Sequence, residues 1–376
     1  MDFELSAEQQ ALGEAVRHFI AKDYDFEARK RVLASPHGFS DSVWKNLAEL
    51  GVLGVGLPEE YGGLGGPPEV MVVMEQIGAG LVLEPFLSTV VLGGGLLARH
   101  GSAAQKSRLL PLIIQGQRRI ALAHFEPGTR YALDQVSTRA HRRGGAFVLS
   151  GRKSAVLDGA TADLFIVTAR EDPTGVVTLF VLEPTRPGLE LRSYRTQDGR
   201  NAADLELRDV EVSRDDVLGD TGVGMLALEE ALDHALGALC AEAVGIMEAL
   251  NRATIEYVKT RVQFGRPIGQ FQALQHRIAD MFVMAVQARS MSLLATGRCD
   301  SADPARRRHD VAAAKAFVGK AARFVGQQAV QLHGGMGLSA ELLVSHYFKR
   351  LTLINATFGD TEHQLTVIAG SMHGQD

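Results

Sequence analysis

From Ser6 to Gln117 the apolar residues return every three or four positions, as Leu12, Val16, Phe19 and Ile20 in one run and Val43, Leu47, Leu50 and Leu53 in another. That is the period of amphipathic helices. Ser6 stands three residues before Gln9, a capping-box arrangement that predicts the start of the first helix, and Pro58 with the Gly62–Gly66 run interrupts the helical period further along. Residues 1–117 therefore read as a helical domain. The pattern then changes: Arg119–Phe125, Gln135–His141, Ala146–Ser150, Leu164–Ala169, Val176–Leu182 and Leu189–Arg195 are short, β-branched segments separated by turns such as Gly144-Gly145 and Pro187-Gly188. Many short strands without helices between them predict an antiparallel barrel or sandwich over 118–224. Helical spacing returns in Met225–Tyr257, Phe271–Gly297 and Pro304–Leu332, with shorter stretches to Gly370, so 225–376 reads as a helical bundle. The fold class is α+β, in three domains.

Composition narrows the function. At 376 residues, 46% hydrophobic and 22% charged, the chain can bury real cores. Its 39 Lys and Arg against 44 Asp and Glu give a formal net charge of −5, which argues against nucleic acid or an anionic membrane as partner. Cys240 and Cys299 lie far apart without any zinc or disulfide spacing, so no metal site is expected and a reducing compartment suits the chain. The first residues carry acids where a signal peptide needs a basic start, and the apolar tract Val70–Leu83 is broken by Glu75 and Gln76. A soluble, cytoplasmic protein is the expectation.

Two motifs invite a cofactor. Gly93-Gly94-Gly95 with Ala98 loosely fits a dinucleotide loop, but it lies among helices and no acid follows about 20 residues on, so close helix packing accounts better for it. The second constellation is Arg261, Phe264 and Gln272, with Gln331, Gly334 and Gly335 much later. Arg forks onto diphosphate oxygens, an aromatic covers a base, Gln supplies amide hydrogen bonds and paired glycines let backbone N–H groups approach a phosphate. The plain alternative is a surface charge beside a core aromatic. The Arg306-Arg307-Arg308 run reads as a solvated loop and helix start, and His333, His346 and His363 as packing or surface residues, with His124, before Phe125, the one histidine to watch for another role.

Along nearly its whole length the chain resembles the acyl-CoA dehydrogenase family. The likeness runs through Leu57-Pro58-Glu59-Glu60-Tyr61-Gly62-Gly63, Glu126-Pro127-Gly128, Ser150-Gly151-Arg152-Lys153, the Arg261–Gln272 block, Gln331–Gly337 and Phe358-Gly359-Asp360. It implies a helical N-terminal domain, a β domain and a C-terminal four-helix bundle. It also implies FAD-dependent α,β-dehydrogenation of an acyl-CoA thioester, in which a carboxylate takes the α proton and flavin takes the β hydride. Carried over by motif, Arg261, Phe264, Gln272, Gln331, Gly334 and Gly335 match the residues that reach the ADP half of an FAD shared across a subunit interface.

The resemblance fails where the chemistry should be. The usual catalytic Glu falls at Phe358, and the alternative position on the first bundle helix, in a Leu-Asp-x-Glu-Arg pattern, reads Leu232-Asp233-His234-Ala235-Leu236. Neither Phe358 nor Ala235 can take a proton. Where relatives place Thr before Glu-Pro and Trp-x-Thr after the Gly-x-Lys turn, this chain has Phe125 and Ala155-Val156-Leu157. The resemblance therefore implies the base-lacking subunit of an α2β2 complex that donates FAD-binding residues to a related acyl-CoA dehydrogenase subunit and passes electrons to an electron-transferring flavoprotein. A self-sufficient homotetramer would need another base, from Glu126, Asp233, Glu242 or, best placed, Asp360; the plain role of Asp360 and Glu362 is to start the last helix. A flavin-free acyl-CoA-binding or structural protein is the third reading. Lys349-Arg350 could meet a CoA phosphate or end a helix.

Overall fold

A computed structural model describes residues 4–373. By internal contacts the chain divides into two compact units, one made of Met1–Arg29, Pro67–Val82 and Leu236–Asp376 and the other of Lys30–Gly66 and Leu83–Ala235. The helices in chain order are α1 (Ala7–Asp23), α2 (Phe26–Ala34), α3 (Asp41–Glu49), α4 (Pro67–Gly80), α5 (Gly95–His100), α6 (Ala103–Ile114), α7 (Gly224–Thr260), α8 (Gln272–Arg298), α9 (Pro304–His333), α10 (Leu343–Ala356) and α11 (Thr361–His373).

In the first unit, α1 begins as the sequence predicts, with the Ser6 hydroxyl accepting from the Gln9 N–H and the Gln9 side chain accepting from the Ser6 N–H. α1 packs on α4, and α8, α10 and α11 all pack on α9. The backbones of α4 and α7 nearly touch: a Cβ on Gly78 would lie 2.1 Å from the Glu242 carbonyl oxygen, and one on Gly245 1.9 Å from that of Glu75. Neither position admits a side chain. Arg289 on α8 joins the same crossing, bonding Glu75 at 3.0 Å and Glu248 at 2.7 Å. Burial, with Glu248 adding to it against the pull of Arg289, pushes the Glu75 carboxyl up to about 7.

α8 carries apolar residues on its exterior. By length and composition it is apolar enough to cross a bilayer, with a mean hydropathy of 1.3 over its most apolar stretch, yet only 28% of that stretch is buried within the chain. Phe282, Val283 and Val286 face outward.

The second unit centres on a mixed sheet. Its strands are β1 (Ile120–Ala123), β2 (Arg139–Arg143), β3 (Ala146–Leu157), β4 (Leu164–Asp172), β5 (Val177–Leu182), β6 (Leu189–Arg195), β7 (Asn201–Val212) and β8 (Val217–Leu218). They pair in the order β6-β7-β3-β2-β4-β5-β8, with β1 also on β4. The purely antiparallel expectation is corrected here. β1 and β2 both run parallel to β4, Ile120 opposite Leu164 and Arg139 opposite Arg170. An intervening strand, β3, makes the crossover that a helix usually makes, so the absence of helices does not exclude parallel pairing. Phe147, Phe165, Phe180 and Leu205 fill the core.

A π-helical segment, Leu87–Gly94, precedes α5 and is wholly buried. A Cβ on Gly93 would lie 2.1 Å from the Ile120 Cγ2. The triple glycine is thus a packing device, as its sequence context indicates.

Candidate functional site

The residues that the sequence offers for a dinucleotide, Arg261, Phe264, Gln272, Gln331, Gly334 and Gly335, all lie in the first unit. After α7 the chain forms a tight hairpin, β9 (Val262–Gln263) against β10 (Arg266–Pro267), with Gln263 opposite Arg266. Its two turn residues, Phe264 and Gly265, have φ of 55° and 79°. Positive φ at both places marks a type I′ turn, which suits glycine and costs a phenylalanine. Phe264 is nevertheless 89% exposed. Its ring meets Phe271 edge-on at 6.0 Å, and the Arg266 guanidinium lies 4.3 Å over Phe271. The Arg261 N–H donates to the Tyr257 carbonyl at 2.9 Å, and its carbonyl accepts from the Ile268 N–H at 2.8 Å. Arg261 and Gln272 are both exposed. Beside the hairpin lies an apolar hollow of about 580 Å³, lined by Ile255, Val258, Pro267, Ile278 and Phe282.

The second half of this surface is the end of α9. Gln331 is exposed on its last turn, and Gly334 leaves the helix with φ 62° and ψ −146°, a conformation that only glycine takes without strain. A Cβ at Gly334 or Gly335 would meet nothing within 4 Å, so the backbone there is open to an approaching ligand. His333 is buried, its ring stacked on Tyr257 with centroids 4.2 Å apart and its Nδ1 2.8 Å from the Ala329 carbonyl. Burial holds its pKa below the usual imidazole range. Exposed Arg and Gln side chains, a projecting aromatic and a glycine turn with open space beside it fit the diphosphate and adenosine half of FAD, while the Gly334 N–H itself turns back onto the Gln331 carbonyl. This is more than a surface charge beside a core aromatic, because Phe264 is outside.

The positions expected to carry a base hold none. Phe358 is buried, 7% exposed, at φ 57° in the turn between α10 and α11. The Lys315 ammonium is buried beneath that turn and donates to the Asn355 and Gly359 carbonyls, each at 3.0 Å. Burial brings the Lys315 pKa down to about 8, against the opposing pull of Cys240 and Asp360. Asp360 starts α11, its Oδ1 accepting the His363 N–H at 2.9 Å, and exposed Glu362 sits in the first turn. Glu242 accepts from the Arg350 Nε at 2.6 Å and Nη2 at 2.7 Å, in the interior. Arg350 is thus a buried partner in mid-helix, which corrects both roles the sequence offered for it.

In the second unit Ala235 is fully buried on α7. Asp233 is also buried, but residues two apart on a helix face different ways, so it does not substitute at position 235. Glu126 is spoken for: its carboxylate accepts from the Lys153 ammonium at 2.6 Å, the Ser137 N–H at 2.7 Å and the Thr138 N–H at 3.0 Å. Lys153 also donates to the Thr168 hydroxyl at 2.8 Å. Burial works to raise the Glu126 pKa, and Lys153 with the backbone N–H overcomes it and holds the carboxyl below its usual range. Lys153 in turn is drawn down by burial to about 8. This pair is an interior strut that the sequence motifs contain without announcing.

The wall expected to face the flavin ring lies in the same unit. The Phe125 ring lies tilted by 36° against that of His124 with centroids 4.0 Å apart, and burial keeps that imidazole neutral, its pKa about 3. Ala155 has φ 52° and gives its N–H to Asp204, Val156 is buried, and Leu157 offers only aliphatic carbon. No hydroxyl or amide side chain stands at Phe125 or Leu157, so the ring half of FAD fits poorly while the ADP half fits well.

Comparison with known proteins agrees with the architecture. Sequence models described as the acyl-CoA dehydrogenase N-terminal, middle and C-terminal domains match residues 6–117, 121–211 and 222–373. The chain is 31% identical over 379 residues to the probable acyl-CoA dehydrogenase YngJ of Bacillus subtilis, covering 98% of this chain and 99% of that one. Among solved structures it is similar to a chain of the ChsE4-ChsE5 complex from Mycobacterium tuberculosis, with a TM-score of 0.90, 26% identity and full coverage of both. A chain from a structure described as the electron transferring flavoprotein of Acidaminococcus fermentans matches with a TM-score of 0.92 and 28% identity, again with both chains fully covered.

Proposed function

The chain belongs to the acyl-CoA dehydrogenase family, a family of flavin-dependent oxidoreductases, and from that premise we propose that it is the base-lacking subunit of a two-component, α2β2 acyl-CoA dehydrogenase. A related subunit supplies the carboxylate that removes the α proton from the acyl-CoA. This chain supplies Arg261, Phe264, Gln272, Gln331, Gly334 and Gly335 to the ADP half of the partner's FAD. FAD, when held there, would supply the hydride acceptor for the β carbon, with an electron-transferring flavoprotein as the electron acceptor beyond it.

The observation that carries this reading is the pair of buried, carbon-only side chains at Phe358 and Ala235. Among the other carboxylates weighed, Glu126 is locked to Lys153, Glu242 to Arg350, and Asp360 to the start of α11. A carboxylate so held by cations and N–H donors is a poor proton acceptor. The reading is supported further by the outward-facing apolar residues of α8, 61% exposed at Phe282, whose burial against another chain would relieve their contact with water.

The test is to purify the chain alone and together with a related subunit, and to follow flavin absorbance and acyl-CoA turnover. The complex is expected to hold FAD and turn over, and to lose FAD on Arg261→Ala in this chain. Stoichiometric FAD and turnover from the chain alone would overturn the reading. A complex that stays colourless would instead favour a flavin-free binding role.

A further inference from the structure

The two halves of the dinucleotide surface come from distant parts of the chain, the hairpin after α7 and the end of α9, and they must stay in register if one diphosphate is to touch both. A single residue bonds to each. The Tyr257 carbonyl accepts the Arg261 N–H at 2.9 Å, and the Tyr257 hydroxyl donates to the His333 carbonyl at 3.3 Å. The latter is one of the carbonyls that an α-helix leaves unpaired at its C-terminus, and it belongs to the peptide whose N–H is that of Gly334. Between these bonds the Tyr257 and His333 rings lie nearly parallel, 24° apart, at 4.2 Å. The His333 ring is fixed from its own helix by the Ala329 carbonyl at 2.8 Å.

We propose that Tyr257 and His333 form a positioning joint that holds Arg261 and the Gly334-Gly335 turn in the relative placement a dinucleotide diphosphate requires. This rests on the reading of that surface as an FAD-facing one. The joint touches no ligand itself. Its ring stack sets the distance between α7 and the end of α9, and its hydroxyl fixes the peptide that opens the glycine turn, whose Gly334 N–H closes back on the Gln331 carbonyl.

The experiment uses the full chain, with ADP as the probe. Hydrogen exchange and calorimetric ADP titration are compared for the wild type, Tyr257→Phe, Tyr257→Leu and Arg261→Ala. Tyr257→Leu should raise exchange in segments 261–270 and 334–338 together, leave the α8–α9 core protected, and weaken ADP binding about tenfold, the order expected when an ordered hydrogen bond and an aromatic contact are both lost. Tyr257→Phe keeps the stack, so it should raise exchange only in 334–338 and weaken ADP about two- to threefold, the low end for one neutral hydrogen bond. Should Tyr257→Leu not fold, Tyr257→Phe decides: unchanged exchange in 334–338 overturns the joint. ADP binding that responds to Arg261→Ala but not to Tyr257→Leu overturns the joint alone. No ADP binding by the wild type, or binding indifferent to Arg261→Ala, overturns the dinucleotide reading and the joint with it.

Discussion

Residues 261–272 and residues 124–126 are both assigned by resemblance to one cofactor, yet they differ in how they spend their polar groups. In the first segment Arg261, Phe264 and Gln272 stand in solvent, with an aromatic held outward in a costly backbone conformation. In the second, Glu126 is turned inward onto Lys153, and Phe125 covers a neutral His124. One region keeps its chemistry available to another molecule; the other uses it to hold its own sheet together. A chain that gives cofactor contacts without carrying out the reaction needs the first kind and can dispense with the second.

That contrast can be broken most forcefully in the second unit. Lys153→Met leaves Glu126 buried with only its backbone donors, and loss of one partner of a buried pair costs about 3 to 5 kcal/mol. Chemical denaturation should register that loss, and Glu126→Gln added to Lys153→Met should recover much of it. If Lys153→Met is as stable as the wild type, the pair is no strut. In the first unit, Arg261→Ala should leave stability unchanged and weaken FAD in the two-subunit complex by about 1.5 to 3 kcal/mol, the worth of a charged hydrogen bond. A stability loss with unchanged FAD affinity would make Arg261 structural.

The first unit also contains a committed charge for comparison, and pH separates it from the available ones. Glu75 has its folded pKa raised from 4.5 to about 7, so the folded state binds the extra proton over that interval. Its contribution to stability is full below pH 4.5 and is lost as pH rises through about 7, with a slope of at most about 1.4 kcal/mol per pH unit. The difference in unfolding free energy between the wild type and Glu75→Gln should therefore vary with pH across this window; a constant difference contradicts it. The smallest effect belongs to Asp360→Ala, which removes a helix cap and should cost about 1 kcal/mol of stability without altering turnover of the complex. Lost turnover at unchanged stability would make Asp360 a reacting group.

Much of the fold is legible because local signals and packing agree. The Ser6–Gln9 box starts α1, and the apolar periods of α7, α8 and α9 run almost to their observed ends. β7 is not legible. Asn201–Val212 is rich in acids, and Asp209, at φ 52° beside an irregularity in the β3 pairing, breaks the alternation between Leu207 and Val210. The parallel pairing of β4 is likewise a long-range outcome that no local pattern encodes. At the candidate site, the lack of a proton acceptor at Phe358 and Ala235 can be seen from residue identity alone, since no conformation gives either side chain one. The engagements of Glu126, Glu242 and Asp360 cannot, because each depends on a partner brought by the fold. The Tyr257–His333 joint leaves only a faint trace: one residue lies four before Arg261 and the other immediately before Gly334.

The most direct measurement of the central claim is exchange of the acyl-CoA C2 proton with deuterated water, followed by mass spectrometry, because it reports the base whether or not hydride transfer completes. The chain alone, supplied with FAD, should catalyse no exchange, while its complex with a base-bearing subunit should do so and should stop when that subunit's carboxylate is removed. Exchange by the chain alone that disappears in Asp360→Asn would contradict the account.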